Sequence, residues 1–305
     1  MKNILKLIRV VILLGPCFSA DPSDIYFTPN RKTDQIILDL IEKAEKSVYV
    51  AGYTMSWKEM MQKLIEKNGT ADVKIILDAE PPEKFPEGML KIDSKSALFH
   101  PKFIAVDGCR VFAGSGNFTP GSMHSSHNNF IFIENPQAAE FFNRKFLSWW
   151  EDGVFNKTYA DGTFSIYFSP ENDCETVIAN VLSSASRSIR FAHYHFTSER
   201  LVKTVIRRKL AGVKVYGIIE RSSVEPYSVF YSMRDYDCVM KKSNIAGFLH
   251  DKLFIVDEEI VITGSYNPSD SARRNNECLL VIKDKKTAAA YLKEWIRLWR
   301  YYSLP

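Results

Sequence analysis

The chain carries one polar pattern twice, and that repetition limits what it can fold into more than any other feature. HPKFIAVDGCRVFAGSGN at residues 100–117 returns as HDKLFIVDEEIVITGSYN at 250–267, with His, Lys, Asp, Gly, Ser and Asn in the same register. The likeness extends well beyond the motif. DIYFTP at 24–29 returns as SIYFSP at 165–170, and each is followed by a segment with helical apolar periodicity, IILDLIEKAEKS and then VIANVLSSASRS. The strands SVYVAGYTM and SIRFAHYHF come next, matching Tyr53 with Tyr194, and β-branched strands begin VKI at 73 and VKV at 213. Aromatic helices close both halves, AAEFFNRKFLSWW at 138–150 and AAAYLKEWIRLW at 288–299.

Strands alternating with helices predict α/β layers around a largely parallel or mixed sheet. Two copies in 305 residues make two domains of ordinary size, related by a pseudo-two-fold axis. The Gly-, Asp- and Asn-rich stretch 151–163 places the boundary between a first domain at 21–156 and a second at 157–305. A site on such an axis draws matching residues from both halves, which explains the repeated motif. Both half-sites then lie in one chain, so a monomer suffices.

Residues 1–20 differ in kind. Lys2, Lys6 and Arg9 precede an apolar run from Val10 to Phe18, and small residues follow. This reads as a signal peptide and predicts a secreted or periplasmic protein, with an uncleaved N-terminal membrane anchor as the alternative. The run is too short to span a bilayer as an ordinary transmembrane helix. The net charge of +4 falls to +1 once those three basic residues are set aside. That balance lacks the basic excess of a polynucleotide-binding surface. Cys109, Cys174, Cys238 and Cys278 remain, outside any CxxC spacing, and are either disulfide-bonded or buried thiols.

Within each motif, KFIAV and RVFAG flank Asp107–Gly108 and read as a β-hairpin. Alternation puts His100 and Lys102 on one face, with Ser115 and Asn117 at the end of the return strand. His250, Lys252, Ser265 and Asn267 repeat the arrangement. Lys, Ser and Asn donate hydrogen bonds suited to phosphate oxygens, and histidine serves as nucleophile or as general acid and base. Two histidines on one phosphorus divide attack from leaving-group protonation. No carboxylate cluster with metal-ligand spacing accompanies them, so neutralisation falls to the lysines and no metal or other cofactor is expected. Asp107 and Asp257 stand beside the turns and are expected to stabilise them. Tyr53 and Tyr194, at matching strand ends, are candidates to line the site; His193 and His195 are expected to be packed.

HxKxxxxD followed by GSxN, present twice, resembles the phospholipase D superfamily, and the halves are most similar to its compact branch of bacterial endonucleases and mitochondrial cardiolipin hydrolase. The resemblance implies two tandem phospholipase D-like α/β-sandwich domains with the active site at their interface. It implies catalytic His100, Lys102, His250 and Lys252, phosphate-binding Ser115, Asn117, Ser265 and Asn267, and a metal-independent phosphohistidine route. In RRNNECLLVI, Glu277 matches the acid with which that family orients a histidine; in SHNNFIFIEN the matching place falls on Phe130. The expectation is that Glu277 partners His250, the proton donor, while His100 attacks with His124, His127 or Asn129 as its orienting group. The expected activity is that of a phosphoric diester hydrolase acting on phospholipid at a membrane surface. The alternatives are a nuclease of the same superfamily, a phosphatidyl transferase and an inactive phosphate-binding scaffold.

Overall fold

The computed structural model describes residues 24–225, 228–245 and 247–302, so the leader segment at 1–20 lies outside the described residues. Seven strands form the first sheet: β1 (Asp24–Thr28), β2 (Ser47–Gly52), β3 (Asp72–Leu77), β4 (Leu90–Ile92), β5 (Phe103–Val106), β6 (Arg110–Gly114) and β7 (Asn128–Glu134). Eight form the second: β8 (Tyr159–Ala160), β9 (Phe164–Ser169), β10 (Ser188–His193), β11 (Lys214–Ile219), β12 (Val239–Lys242), β13 (Lys252–Val256), β14 (Ile260–Gly264) and β15 (Glu277–Lys283). Their orders, β1-β7-β6-β5-β2-β3-β4 and β8-β9-β15-β14-β13-β10-β11-β12, are the same path, with β8 added at one edge. β2 runs parallel to β3 and antiparallel to β5, and β10 repeats this with β11 and β13. The sheets are therefore mixed: β2–β3–β4 and β10–β11–β12 run parallel, while the motif hairpins and the strands that flank them pair antiparallel.

The helices are α1 (Arg31–Glu42), α2 (Lys58–Lys67), α3 (Pro120–His124) and α4 (Pro136–Trp150) in the first half. In the second they are α5 (Cys174–Ser183), α6 (Glu199–Leu210), α7 (Val229–Arg234) and α8 (Lys285–Tyr301). α1 and α2 bury Ile37, Ile41, Met60 and Leu64 in one core with the first sheet, and α5 and α6 bury Ile178, Leu182, Leu201 and Val205 against the second. A third core draws on both sheets and both closing helices, through Phe103, Phe142, Phe146, Phe168, Tyr291 and Trp295. Each such aromatic removed from water contributes about 2–3 kcal/mol, so the seam is a hydrophobic interior rather than a loose contact. Asn135 caps α4 and Asp284 caps α8, each accepting a backbone N–H of the first turn.

Backbone pairing also crosses the seam. Asn276 N–H donates to Leu98 O and His100 N–H to Asn276 O, both at 2.9 Å. The mirrored bonds run from His127 N to Phe248 O and from His250 N to His127 O, both at 2.8 Å. Each motif histidine is thus held by the strand approach of the opposite half. Cys174, Cys238 and Cys278 are buried free thiols, which settles these three for the thiol reading.

Candidate active site

Both motifs form the expected hairpins, β5–β6 and β13–β14. Their turns need left-handed backbone at two successive residues: Asp107 (φ 55°) and Gly108 (φ 68°), then Asp257 (φ 53°) and Glu258 (φ 62°). Glycine takes this conformation without a Cβ penalty, whereas Glu258 adopts it against its preference. The aspartates reach further than their own turns. Asp107 accepts the backbone N–H groups of Glu45, Lys46 and Ser47 at 3.1, 2.7 and 3.0 Å. Asp257 accepts those of Ser186, Arg187 and Ser188 at 2.8, 2.7 and 2.8 Å. Each motif acid ties its hairpin tip to the start of β2 or β10.

Side-chain pairing behind the histidines crosses the seam and corrects the expected partners. His100 Nδ1 lies 2.9 and 2.8 Å from the two carboxylate oxygens of Glu277, so the acid of the second half serves the histidine of the first. His250 Nδ1 lies 2.9 Å from Asn128 Oδ1. None of the groups expected to orient His100 does so: His124 bonds Asp34, His127 bonds Tyr302, and Asn129 bonds Asp251. The counterpart of Glu277 is Asn128, not Phe130. Aligning the two Asn-Asn pairs shifts the register by two residues. The return strands give the true register, since Ser115 N donates to Asn129 O and Ser265 N to Cys278 O.

Ser115 and Ser265, expected at the phosphate, stand behind the histidines and are fully buried. Ser115 Oγ donates to Asn128 Oδ1 at 3.2 Å, and Ser265 Oγ to Glu277 Oε2 at 2.5 Å. Each serine therefore braces the group that braces a histidine. Asn128 is fixed further by Nδ2, which donates to Thr28 Oγ1 and Ser122 O at 3.1 and 2.9 Å. Its Oδ1 must then face the imidazole, and an amide oxygen only accepts, so His250 carries its proton on Nδ1 and turns Nε2 to the cavity.

Lys102 and Lys252 are buried, their ammonium groups donating to the backbone oxygens of His100 and His250 at 2.5 and 2.8 Å and lying over the rings of Tyr53 and Tyr194. Burial, then the two lysine charges, hold both imidazoles well below their ordinary range. Burial lowers Lys102 as well and brings Lys252 down to about 7, while it pushes Glu277 up to about 8. Desolvation dominates every one of these shifts, so the cluster is poised for an anion that would stabilise its cationic forms.

His100, His250, Asn117, Asn267, Tyr53 and Tyr194 line one cavity of about 670 Å³. The Oδ1 atoms of Asn117 and Asn267 are buried there without a hydrogen-bond partner. Tyr53 meets His100 edge-on at 5.2 Å, and Tyr194 lies 4.9 Å from the ring of His250, so both tyrosines take the site-lining position. His193 is packed among Phe191, Phe196 and Phe254, whereas His195, expected to be packed, lines the cavity. Asn128 was missed by sequence reasoning, as was the buried Asn129–Asp251 bond. Its signal was its place directly before the residue paired with Ser115.

Comparison with known proteins agrees with this architecture. Residues 37–150 and 178–299 each match a family described as cardiolipin synthase, PLD-like domain. A phospholipase D of Rickettsia prowazekii is 31% identical over 133 residues, covering 43% of this chain and 65% of that protein. A mitochondrial cardiolipin hydrolase of Xenopus laevis is 29% identical over 123 residues, covering 40% of this chain and 59% of its own length. The chain thus spans less than two thirds of either relative. The solved structure of phosphatidylserine synthase from Haemophilus influenzae superposes with a TM-score of 0.70 over 92% of this chain and 87% of that one, at 14% identity, a likeness of fold.

Proposed function

The chain belongs to the PLD-like domain family, and on that premise we propose that it is a phosphodiesterase that hydrolyses phospholipids through a phosphohistidine. The observation that carries this reading is the pair of histidines facing one cavity, each braced from the opposite half. His100 Nε2 attacks phosphorus in line with the scissile P–O bond. His250 Nε2 gives its proton to the departing oxygen, then takes one from the water that cleaves the N–P bond and restores His100. Lys102 and Lys252 balance the phosphate charge, and the amides of Asn117 and Asn267 turn toward its oxygens.

The two partners suit these roles. A phosphorylated imidazole is a cation while Nδ1 keeps its hydrogen, and Glu277 supplies its counter-charge. An acid must release its proton, and the neutral Asn128 leaves His250 more acidic than a carboxylate would. Two features favour a lipid. Leu98 and Phe248, 41% and 48% exposed, flank the cavity as matched apolar residues two positions before each histidine. Among the described residues the cavity wall carries no Lys, Arg, Asp or Glu, unlike a groove that follows a polynucleotide backbone.

We place the domain division at 156/157, in keeping with sheets drawn from 24–134 and 159–283. Export through residues 1–20 and function as a monomer complete the reading. The test is turnover by the protein in EDTA of phosphatidylcholine, cardiolipin and single-stranded DNA in parallel, with mass analysis of quenched enzyme. Lipid turnover together with a phosphorus adduct on His100 supports it. DNA cleavage without lipid turnover, or full activity in His100→Ala, defeats it.

A further inference from the structure

β3 and β11 each run into an acid that lies outside the repeated motif. Asp78 directly follows β3 and Glu220 directly follows β11. The strand register makes them counterparts, since Leu77 pairs with Gly52 and Ile219 with His193. Asp78 N–H donates to Tyr53 O at 3.1 Å and Glu220 N–H to His193 O at 2.9 Å, which anchors each acid's backbone to the end of the adjacent parallel strand. The side chains then reach the segment that enters the motif. Phe99 N–H donates to Asp78 Oδ1 at 2.6 Å, and Leu249 N–H to Glu220 Oε2 at 2.8 Å. Phe99 and Leu249 are buried and stand immediately before His100 and His250.

The next N–H of each segment, that of the histidine itself, goes to the opposite half: His100 to Asn276 O at 2.9 Å and His250 to His127 O at 2.8 Å. Two successive N–H groups are thus fixed, one by an acid of the same half and one by the backbone of the other. Bonds from a backbone N–H to a carboxylate are the stronger kind. With its backbone held at both points, each imidazole keeps only its side-chain torsions, and Glu277 and Asn128 fix those. The two acids differ in reach. Glu220 is buried and also accepts Ser243 Oγ at 2.6 Å and Ser222 N–H at 3.2 Å. Asp78 is half-buried and has a second effect: burial lowers Lys102, and Glu277 and then Asp78 oppose that fall.

We propose that Asp78 and Glu220 are positioning residues: Asp78 holds the attacking His100 in line with phosphorus, and Glu220 holds His250 beside the departing oxygen. The inference rests on the phosphodiesterase reading above. In that step the bond from His100 Nε2 to phosphorus forms as the P–O bond breaks, and the proton of His250 Nε2 ends on the departing oxygen. Neither acid is part of the cavity wall, so each acts through its histidine and not on the substrate. A displacement of about 1 Å at a reacting group can cost on the order of 100-fold in rate, so bonds that fix the histidine backbone bear on the chemical step more than on binding.

The experiment follows the first turnover of a series of diaryl phosphates by the full chain, from bis(p-nitrophenyl) phosphate to diphenyl phosphate, with thermal melts of each variant. A p-nitrophenolate departs without a proton, whereas the more basic phenolate gains most from an acid. Asp78→Ala loosens the nucleophile and is expected to slow every member of the series alike, by roughly 100-fold, with half-saturation unchanged. Asp78→Asn keeps an acceptor for Phe99 N–H, so it is expected to recover most of that rate although the charge on Lys102 loses its support. Glu220→Asp keeps the charge but falls a methylene short of Leu249 N–H. It is expected to slow diphenyl phosphate by about 100-fold and bis(p-nitrophenyl) phosphate little, steepening the dependence on the leaving group. A merely structural role would leave that slope unchanged. An unchanged slope in Glu220→Asp, parent rates in Asp78→Ala, or Asp78→Asn no faster than Asp78→Ala overturns the positioning inference alone. No turnover of any diester by the parent protein overturns the phosphodiesterase reading and this inference with it.

Discussion

His100 and Glu277, 177 residues apart in the chain, meet at 2.8 Å across the seam between the two halves. The reciprocal pair, His250 and Asn128, closes at 2.9 Å with an amide where the first pair has a carboxylate. A pseudo-symmetric fold thus holds an asymmetric pair of imidazoles, and the asymmetry lies in their partners.

Glu277→Gln keeps the shape of the brace and removes its charge. The phosphohistidine formed on His100 then lacks a buried counter-ion, so kcat is expected to fall on the order of 100-fold with little change in KM. Steady-state kinetics on a soluble phosphodiester checks this. An unchanged kcat would mean that the carboxylate contributes nothing to the intermediate.

Asn128→Asp places a second carboxylate behind His250. A negative charge at that distance stabilises the imidazolium, which burial otherwise holds below its ordinary range. Activity that requires protonated His250 should then persist to higher pH, moving the falling limb of the kcat/KM profile upward while the maximum rate drops. A limb that stays in place, or moves down, contradicts the assignment of His250 as the acid.

Lys252 sits at about 7 because burial disfavours its charge. A phosphodiester anion reverses that, raising the lysine pKa as it binds, so binding should take up protons at neutral to mildly alkaline pH. Affinity for dimethyl phosphate, a monoanion throughout this range, should accordingly weaken as pH rises above 7, as the lysine must first be charged. Titration calorimetry in two buffers of different ionisation enthalpy measures the uptake directly. Proton release, or affinity that grows with pH, would refute the coupling.

Asp107→Ala removes the acceptor of three backbone N–H groups at the start of β2. The loss is expected to cost about 1–3 kcal/mol of stability. Because Asp107 bonds the start of β2 and is not part of the cavity wall, the folded variant should retain turnover. Thermal melts beside assays well below the transition separate the two effects, and lost activity in a folded protein would give Asp107 a direct role.

Much of the fold could be read from the chain. The duplicated motif, the DG turn and the helical and strand periods are local, and local sterics and hydrophobic patterning dictate them. The mixed sheets, the two hairpins and the packed closing helices follow from that. Asn128 escaped notice because the resemblance between NN pairs at 128–129 and 275–276 suggested a register two residues away from the one the return strands adopt. Hydrogen bonding to Ser115 and Ser265, invisible in a string of letters, decides that register.

What the sequence determined unaided was a pair of like α/β units, each presenting His, Lys and Asn from a hairpin. Only the tertiary structure decided that Glu277 stands behind His100 and Asn128 behind His250, and that both serines brace instead of facing the cavity. The reason is physical. Period and propensity govern neighbours a few residues apart, whereas these contacts depend on how two hydrophobic faces dock, and docking brings together side chains whose separation in sequence carries no pattern.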